Sequence, residues 1–515
     1  MCTFITHIPR FSRERALFIF PSFIIILIII CNVIPGGIGN LITSILLFIW
    51  FGSVSFSFYK RNISEEESLQ SEVIETETET EALTTEYKQV PLSSSTFPIQ
   101  PIPSSSPRLY YLDTLKAFLT IFVVIHHTVG AFSGQGSLGL SVGNYRNALQ
   151  PFLSAFQIIQ QSYFMSLFFF ISAYFSPPTV IRKGVLLFIK DRFTRLGIPF
   201  LPFLLILGPI SQISAQFIVF NTFLGYNPYS GPLWFVVWLS IFHFGYATVA
   251  EARGIDQYMI FDIPSFGMIL LTGALLGFIQ GLQLLFFPGF PLMPIVWGSL
   301  PFDILFYIGG IIARRNKWLE TPLPSFLVRC AKIYSAFFIA STFAFFFWLY
   351  TIGGGVQLLS ITYCNAQTPS RGDLTTGESL VSTFATLLGF SILSGIFTFS
   401  MSISMLDLFR QFCNNTPSKI TKFFIDNAYT AYIIHPLLVF PLTAGFVVFI
   451  RKSTGLLMDL WANRTDSYSC LSVNGSNEEE ALLAGVGVVT LFSLIGTYTL
   501  APLFRSIPGA KQVLG

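Results

Sequence analysis

The stretch RLYYLDTLKAFLTIFVVIHHT, residues 108–128, combines an apolar helix with a line of polar side chains. At 3.6 residues per turn, Lys116 and His127 are about three turns apart and share one face, separated by roughly 16 Å along the axis. Asp113 and Thr120 lie close to the same line. Ionisable groups are costly inside a bilayer and usually face a cavity or a partner. The stripe therefore predicts a functional helix in a membrane-embedded bundle, and polar contacts between helices, with Lys116 snorkelling at the cytosolic end, are the alternative.

The composition of the whole chain also indicates a membrane protein. Of its 515 residues, 52% are hydrophobic and 11% are charged, and the mean hydropathy is +0.66. Soluble domains carry about 25% charged residues. The net charge of +3, without a basic stripe interleaved with stacking aromatics, argues against a nucleic-acid partner. The six cysteines lack CxxC or zinc-like spacing, so neither a metal site nor a permanently bound cofactor is expected.

Apolar stretches long enough to cross a membrane recur along the chain. A spanning helix needs about 20 mainly apolar residues. Ten such stretches lie at about 109–133, 152–176, 197–220, 232–250, 263–287, 292–313, 329–351, 379–406, 424–450 and 481–504. Two more, at about 16–34 and 38–59, are separated by the turn-forming Pro35-Gly36-Gly37. The first of these is too long for the apolar region of a signal peptide. We therefore predict an all-α protein with about twelve transmembrane helices.

The segment between the first pair and the main body is different in kind. Residues 60–107 hold an alternating Glu/Thr run followed by Ser- and Pro-rich sequence, a composition that predicts a disordered linker. A simple tether is the favoured interpretation, and a regulatory segment is the alternative. The chain thus divides into a hairpin at 1–59, this linker, a ten-helix domain at 108–505 and a short tail at 506–515.

The distribution of basic residues predicts the orientation. With the N-terminus in the cytosol and twelve spans, the cytosolic segments hold 24 of the 29 Lys and Arg residues. This bias is the positive-inside pattern, and it places both termini in the cytosol. The membrane is either the plasma membrane or an endomembrane.

The same topology places the two longest loops together on the non-cytosolic side. Each loop carries one cysteine, Cys364 or Cys470. Because non-cytosolic compartments permit disulfides, we predict a bridge between them, and two free thiols are the alternative. Asn463 and Asn474 lie in acceptor sequons of the second loop and are predicted to carry N-glycans.

Glycosylation tests this topology. Asn62 and Asn414 also lie in sequons but should remain unmodified, because they face the cytosol. Single substitutions at Asn463 and at Asn474 should each reduce the mobility shift that a glycosidase produces. A glycan on Asn414, or a thiol reagent that reaches Cys470 only from the cytosol, would contradict the twelve-span arrangement.

Further motifs follow the first helix. They are SYFMSLFFFISAYF at 162–175, KDRFTRLGIP at 190–199, GPLWFVVWL at 231–239, FYIGGIIARRNKWL at 306–319 and AYTAYIIHPLL at 428–438. Together, in this order, they resemble the integral-membrane acyltransferase family 3 of polysaccharide O-acetylases and glucan-succinylating proteins, over residues 108–505. Ala173 stands where the family usually has glycine, and Lys116 stands where it usually has arginine. Lysine keeps the positive charge but lacks the planar guanidinium of arginine. Pro436 is expected to free a backbone carbonyl and kink its helix.

The resemblance implies transfer of an acyl group, acetyl or succinyl, from a cytosolic acyl-CoA-type donor to a hydroxyl of a glycan, lipid or small molecule. His127 is then the general base, since the unperturbed imidazole pKa of about 6.5 suits proton transfer at neutral pH. A transient acyl-histidine is the alternative. His126 points about 100° away and is interpreted as an orienting partner. His435 belongs to the late YxxH motif and joins the site. The pantetheine arm of the donor is expected along the face of Asp113, Lys116 and His127.

The basic loop and one tryptophan complete the implied site. Arg192, Arg195 and Lys190 are expected to bind the donor phosphates, for which arginine is well suited. The positive-inside rule alone is the other explanation for these charges. Trp234 either anchors its helix at the membrane interface or lines the acceptor cavity, and the sequence leaves both interpretations open.

Two further buried polar residues are assigned structural roles. His243 matches no motif and is interpreted as a packing residue. Asp303 follows Ser299 and Pro301, a pattern typical of a helix start, where a carboxylate is favoured by the helix dipole. The main functional alternative is a secondary transporter, whose sites lie on paired broken helices in two repeats. No internal repeat is visible in this sequence.

Overall fold

The structure is a computed structural model of the chain. It describes residues 108–133, 140–142, 149–223, 225–226, 228–253, 261–286, 299–351, 377–454, 460–462 and 478–514. The predicted hairpin, the linker, the Cys364–Cys470 bridge and the glycan acceptors Asn463 and Asn474 lie outside these residues and stay predictions.

The described residues are almost entirely helical. The helices are α1 (Tyr110–Phe132), α2 (Gln150–Tyr174), α3 (Ser176–Arg192), α4 (Ile198–Pro202), α5 (Gly208–Phe220), α6 (Trp234–Arg253), α7 (Phe266–Phe286), α8 (Leu300–Arg315), α9 (Ser325–Thr351), α10 (Gly377–Cys413), α11 (Lys419–Ile434), α12 (Pro436–Thr454), α13 (Glu478–Ser506) and α14 (Ala510–Leu514). Two π-helical turns join α3, α4 and α5 into one helical stretch. One short antiparallel ladder pairs β1 (Leu140–Val142) with β2 (Leu460–Ala462).

Eight helical stretches in the described part of the chain are long and apolar enough to cross a membrane. Large apolar side chains such as Leu271, Phe326 and Phe337 are exposed on their surfaces, as expected where helices contact lipid. The protein is therefore a multi-pass membrane protein. Two of the ten spans predicted for the main body, those containing α2 and α8, are not among the eight, and α8 has only 16 residues. The total number of spans stays a prediction.

One end of the bundle collects basic side chains. Arg410 donates to the carbonyl of Leu319 at 3.1 Å, and the Tyr111 hydroxyl donates to the same carbonyl at 3.4 Å. Arg314 reaches the hydroxyl of Tyr174 at 3.4 Å. The start of α1 and the ends of α2, α8 and α10 therefore meet at this end, which we call the basic end. The clustering agrees with the charge bias of the sequence.

Glycine permits the close approach of α2 and α8. A Cβ atom on Gly310 would lie 2.2 Å from the carbonyl oxygen of Phe170 and 2.9 Å from the Cβ of Ala173. The two backbones can therefore touch only because position 310 has no side chain. Ala173, which replaces the glycine usual in the family, is accommodated because a glycine faces it.

The segment before α6 returns deep into the bundle. The backbone N–H of Tyr229 donates to the carbonyl of Leu204 at 3.1 Å. Leu204 precedes the end of α5 at Phe220 by 16 residues, or about 24 Å of helix. A Cβ on Gly208 would lie 2.3 Å from the Tyr229 carbonyl oxygen, so the returning chain passes against the glycine itself. Helix α6 therefore begins inside the bundle.

Candidate active site

Two histidines from opposite ends of the sequence meet in the bundle. The imidazole rings of His127 on α1 and His435 between α11 and α12 are stacked, with centroids 5.2 Å apart and planes 16° apart. His435 is completely buried, and His127 is half-buried. Helix α1 packs against α11, α12 and α13, which holds the two rings in register.

The protonation pattern of His435 follows from the residue after it. Proline has no backbone N–H, so Pro436 cannot donate to the carbonyl four residues earlier, that of Tyr432. The Nδ1–H of His435 donates to this carbonyl instead, at 2.7 Å. A carbonyl only accepts, so in the neutral ring the lone pair resides on Nε2. Nε2 is buried and has no hydrogen-bond partner among the described residues. The helix is thus interrupted at His435, between α11 and α12, although the backbone of His435 stays helical and its N–H donates to the Ala431 carbonyl. This interruption, which we call the helix break, places a basic nitrogen beside His127.

Helix α2 holds the second histidine of the pair on α1. Gln160 donates through Nε2 to the carbonyl of Phe122 at 3.0 Å, so its Oε1 faces the ring of His126 and accepts from Nδ1 at 3.2 Å. Gln157 donates to the backbone carbonyl of His126. The ring of His126 meets that of His127 edge-on at 5.4 Å. This arrangement supports the interpretation of His126 as an orienting residue.

Sequence reasoning missed the two glutamines. Gln157 and Gln160 are both buried, and they lie three residues apart on one face of α2. Buried amides in an apolar helix need partners, so their spacing was a usable signal. Sequence alone does not identify His126 as the partner, because that depends on how α1 and α2 pack.

The start of α6 lies next to the helix break. The hydroxyl of Tyr432 donates to the carbonyl of Pro232, and the rings of Tyr432 and Phe235 are 6.2 Å apart. Trp234 is half-buried at the first position of α6. This helix therefore begins at the level of Tyr432, and both interpretations of Trp234, an interfacial anchor and a wall of an acceptor cavity, stay predictions.

The ionic part of the α1 stripe is separate from the histidines. Lys116 lies 2.9 Å from Asp113, whose other oxygen lies 3.0 Å from Arg108. The Lys116 ammonium also lies 4.8 Å from the ring centroid of Phe175, next to the basic end. Along α1 it remains about 16 Å from His127. Lys116 and Asp113 therefore lie at the basic end of the stripe, about three turns from the imidazole of His127.

The basic loop predicted from sequence is helical and asymmetric. Asp191 lies 3.1 Å from Lys183 and 3.5 Å from Arg195. Lys190 is exposed, whereas Arg192 is half-buried, with its guanidinium carbon 5.0 Å from the ring centroid of Phe188. Two cations thus contact one carboxylate, and with Lys190 and Arg192 on the same stretch the excess positive charge suits an anionic ligand.

Asp303 lies in the first turn of α8, as the sequence pattern predicts. It is 2% exposed, and it accepts a hydrogen bond from the Ser166 hydroxyl of α2 at 2.8 Å. Among the described residues, no group of three or more His, Cys, Asp or Glu side chains is arranged to hold a metal ion. The expectation that the site works without a metal or resident cofactor stays a prediction.

Comparison with known proteins places this geometry in a family. A family model described as an acyltransferase domain, that of acyltransferase family 3, matches residues 109–502. No curated protein and no solved structure matches the chain. The match runs from the start of α1 to the last turns of α13, so it contains every site residue described above, and it supports an acyltransferase-type activity. The chain belongs to acyltransferase family 3.

Proposed function

We propose that the protein is a membrane-embedded acyltransferase that moves an acetyl or succinyl group from a cytosolic acyl-CoA-type donor to a hydroxyl of a glycan, lipid or small molecule. The observation that carries the proposal is the stacked pair of His127 and His435, in which Nε2 of His435 has no partner among the described residues. Such a pair offers proton acceptors inside an apolar bundle, where a hydroxyl must be activated for acyl transfer.

The proposed reaction needs one proton to be carried. The acceptor oxygen attacks the thioester carbonyl, forming a C–O bond as the C–S bond breaks. His127 takes the hydroxyl proton and returns it to the departing sulfur, which leaves as the CoA thiol. His435 accepts a hydrogen bond from the substrate through Nε2, and His126, held by Gln160, keeps the ring of His127 in place.

The charges of the basic end support a donor that enters from the cytosol. Lys116, Arg192 and Arg195 lie on the side of the bundle that the charge bias assigns to the cytosol. The roughly 16 Å between Lys116 and His127 along α1 is a length that an extended pantetheine arm spans. Phosphates held at the basic end thereby allow the thioester to reach the imidazoles.

The broken helix favours one other candidate function. Helices interrupted within the membrane also form the substrate sites of secondary transporters. Here α11 ends and α12 begins at His435. A transporter at this site would release its substrate chemically unchanged, whereas the proposed enzyme leaves an ester and a free thiol.

The donor side gives a direct prediction. Replacing Arg192 and Arg195 together by alanine should raise the apparent KM for acyl-CoA and make the activity less sensitive to salt, because screened charge interactions are removed. The measurement is the initial rate against acyl-CoA concentration at low and high ionic strength. Lys422→Ala is the matched control. Lys422 is a cytosolic charge on α11, away from the basic loop, and its ammonium lies 2.9 Å from Asp426. An unchanged KM in the double variant would make these arginines topology determinants only.

The acceptor is identified by comparing cells with and without the intact gene. Mass spectrometry of their glycans, lipids and small metabolites should show an acyl ester that disappears with the gene. An unchanged set of esters, with an altered distribution of some unmodified compound across the membrane, would favour the transporter.

A further inference from the structure

A second buried polar cluster lies near the basic end, formed by Ser176, His243 and Tyr307. Nδ1 of His243 lies 2.7 Å from the hydroxyl of Tyr307 and 3.3 Å from the hydroxyl of Ser176. All three side chains are buried, with exposures of 4% or less. They come from α3, α6 and α8, so the cluster joins three helices. The hydrogen bonds of His243 thus add to the structural role assigned from its sequence.

Arg192 brings a positive charge to this cluster. Its guanidinium carbon lies 5.0 Å from the ring centroid of Phe188, the ring that also packs against His243. Nε of Arg192 is buried and has no hydrogen-bond partner, and no ion pair joins Arg192 to a carboxylate among the described residues. The neighbouring Asp191 is already engaged by Lys183 and Arg195. A buried charged donor without a partner is unfavourable, so a ligand that supplied the acceptor would bind more tightly.

The walls of the cluster are aromatic. The ring of Phe188 meets that of His243 edge-on at 5.6 Å, and the guanidinium of Arg192 lies over the same Phe188 ring. Burial of this kind excludes water and strengthens any charge interaction inside. Hydroxyls and an imidazole can each present a hydrogen to an anion, and arginine suits the planar, two-point recognition of phosphate.

The position of the cluster matches one part of the donor. Ser176 directly follows Phe175, the ring that Lys116 contacts, so the cluster lies level with Lys116 and about 16 Å from His127 along α1. In a donor with its thioester at the imidazoles, the groups at that distance are the phosphates at the far end of the pantetheine arm.

We propose that Ser176, His243 and Tyr307, together with Arg192, form a binding site for a phosphate ester, the diphosphate of the acyl donor. The proposal rests on the proposed function and names the residues that recognise its donor. A lipid phosphate group has the same chemistry, and the experiment separates the two sources.

The test compares three donors with the full-length protein in nanodiscs: acyl-CoA, acyl-phosphopantetheine and acyl-pantetheine, which lacks phosphate. His243→Gln and Tyr307→Phe should each lower kcat/KM about tenfold to a hundredfold with the two phosphate-bearing donors. With acyl-pantetheine they should match the wild type, which also shows that the variants are folded. Tyr334→Phe, whose hydroxyl donates to the Leu393 carbonyl away from the cluster, should be unaffected with every donor.

Three results would overturn the assignment. Equal losses with all three donors would mean that the cluster acts on the fold or on the chemistry, and no loss with any donor would mean that it binds no phosphate. A loss that follows the anionic lipid content of the nanodiscs would assign the site to a lipid headgroup. If the wild type transfers no acyl group from any donor, the proposed function fails, and direct binding of labelled CoA to the wild type and to Tyr307→Phe still decides whether the cluster binds a phosphate ester.

Discussion

Replacing His127 by alanine is expected to abolish acyl transfer in a protein that remains folded and inserted in the membrane. Loss of a general base typically lowers the rate about 10²- to 10⁴-fold. The ring of His127 stacks on His435 and is half-buried, so its removal leaves the main helix contacts of α1 in place. The measurement is the transfer of a labelled acyl group from acyl-CoA to the acceptor by purified wild type and variant.

The control for this variant is a neighbour on the same helix. Ile125 is half-buried but lies off the polar stripe, so Ile125→Ala should keep most of the activity. Both proteins should bind labelled CoA as the wild type does, because the donor phosphates are held at the basic end. Near-normal turnover by His127→Ala would show that another group takes the proton.

A loss of similar size is expected for His435, and here two substitutions separate chemistry from structure. His435→Ala removes both the basic Nε2 and the hydrogen bond from Nδ1 to the Tyr432 carbonyl. His435→Asn keeps a donor for that carbonyl but removes the basic nitrogen. We expect both variants to lose activity about 100-fold or more.

The comparison of the two variants at position 435 is decisive. If His435→Asn recovers activity that His435→Ala lacks, the histidine serves to hold the helix break and not to contact substrate. Thermal unfolding of both variants shows whether the helix break is still stabilised. Loss of the hydrogen bond to the Tyr432 carbonyl should lower Tm only in the alanine variant.

Much of this architecture was readable from local sequence. The periodicity of residues 108–128 predicts that Lys116 and His127 share a face, and the structure places both on α1. Pro436 predicts a freed carbonyl, because the loss of its N–H is a covalent property. Both expectations depend only on chain geometry within a few turns, and they hold whatever the helix packs against.

Other features depend on packing between distant segments. The partner of the freed Tyr432 carbonyl is the side chain of His435, which required knowing how the ring is turned. Gln160 meets His126 only because α2 lies against α1. A segment that returns along a helix carries no periodic signal, so the start of α6 at Trp234 inside the bundle was not predictable. The contact of His243 with Tyr307 was not predictable either, because it depends on how α6 packs against α8.

The proposed reaction at the His127–His435 site ends in a covalent ester, and one single-turnover experiment detects it. Purified protein in nanodiscs is mixed with acyl-CoA labelled on the acyl carbon and with the extract that contains the acceptor, and thiol release is followed together with the label. We expect free CoA thiol and labelled ester to appear in equal amounts with the wild type, and neither to appear with His127→Ala. The opposite result would be that labelled acyl-CoA remains intact with the wild type while an unmodified compound crosses the membrane of a proteoliposome. That result would contradict the proposed acyl transfer.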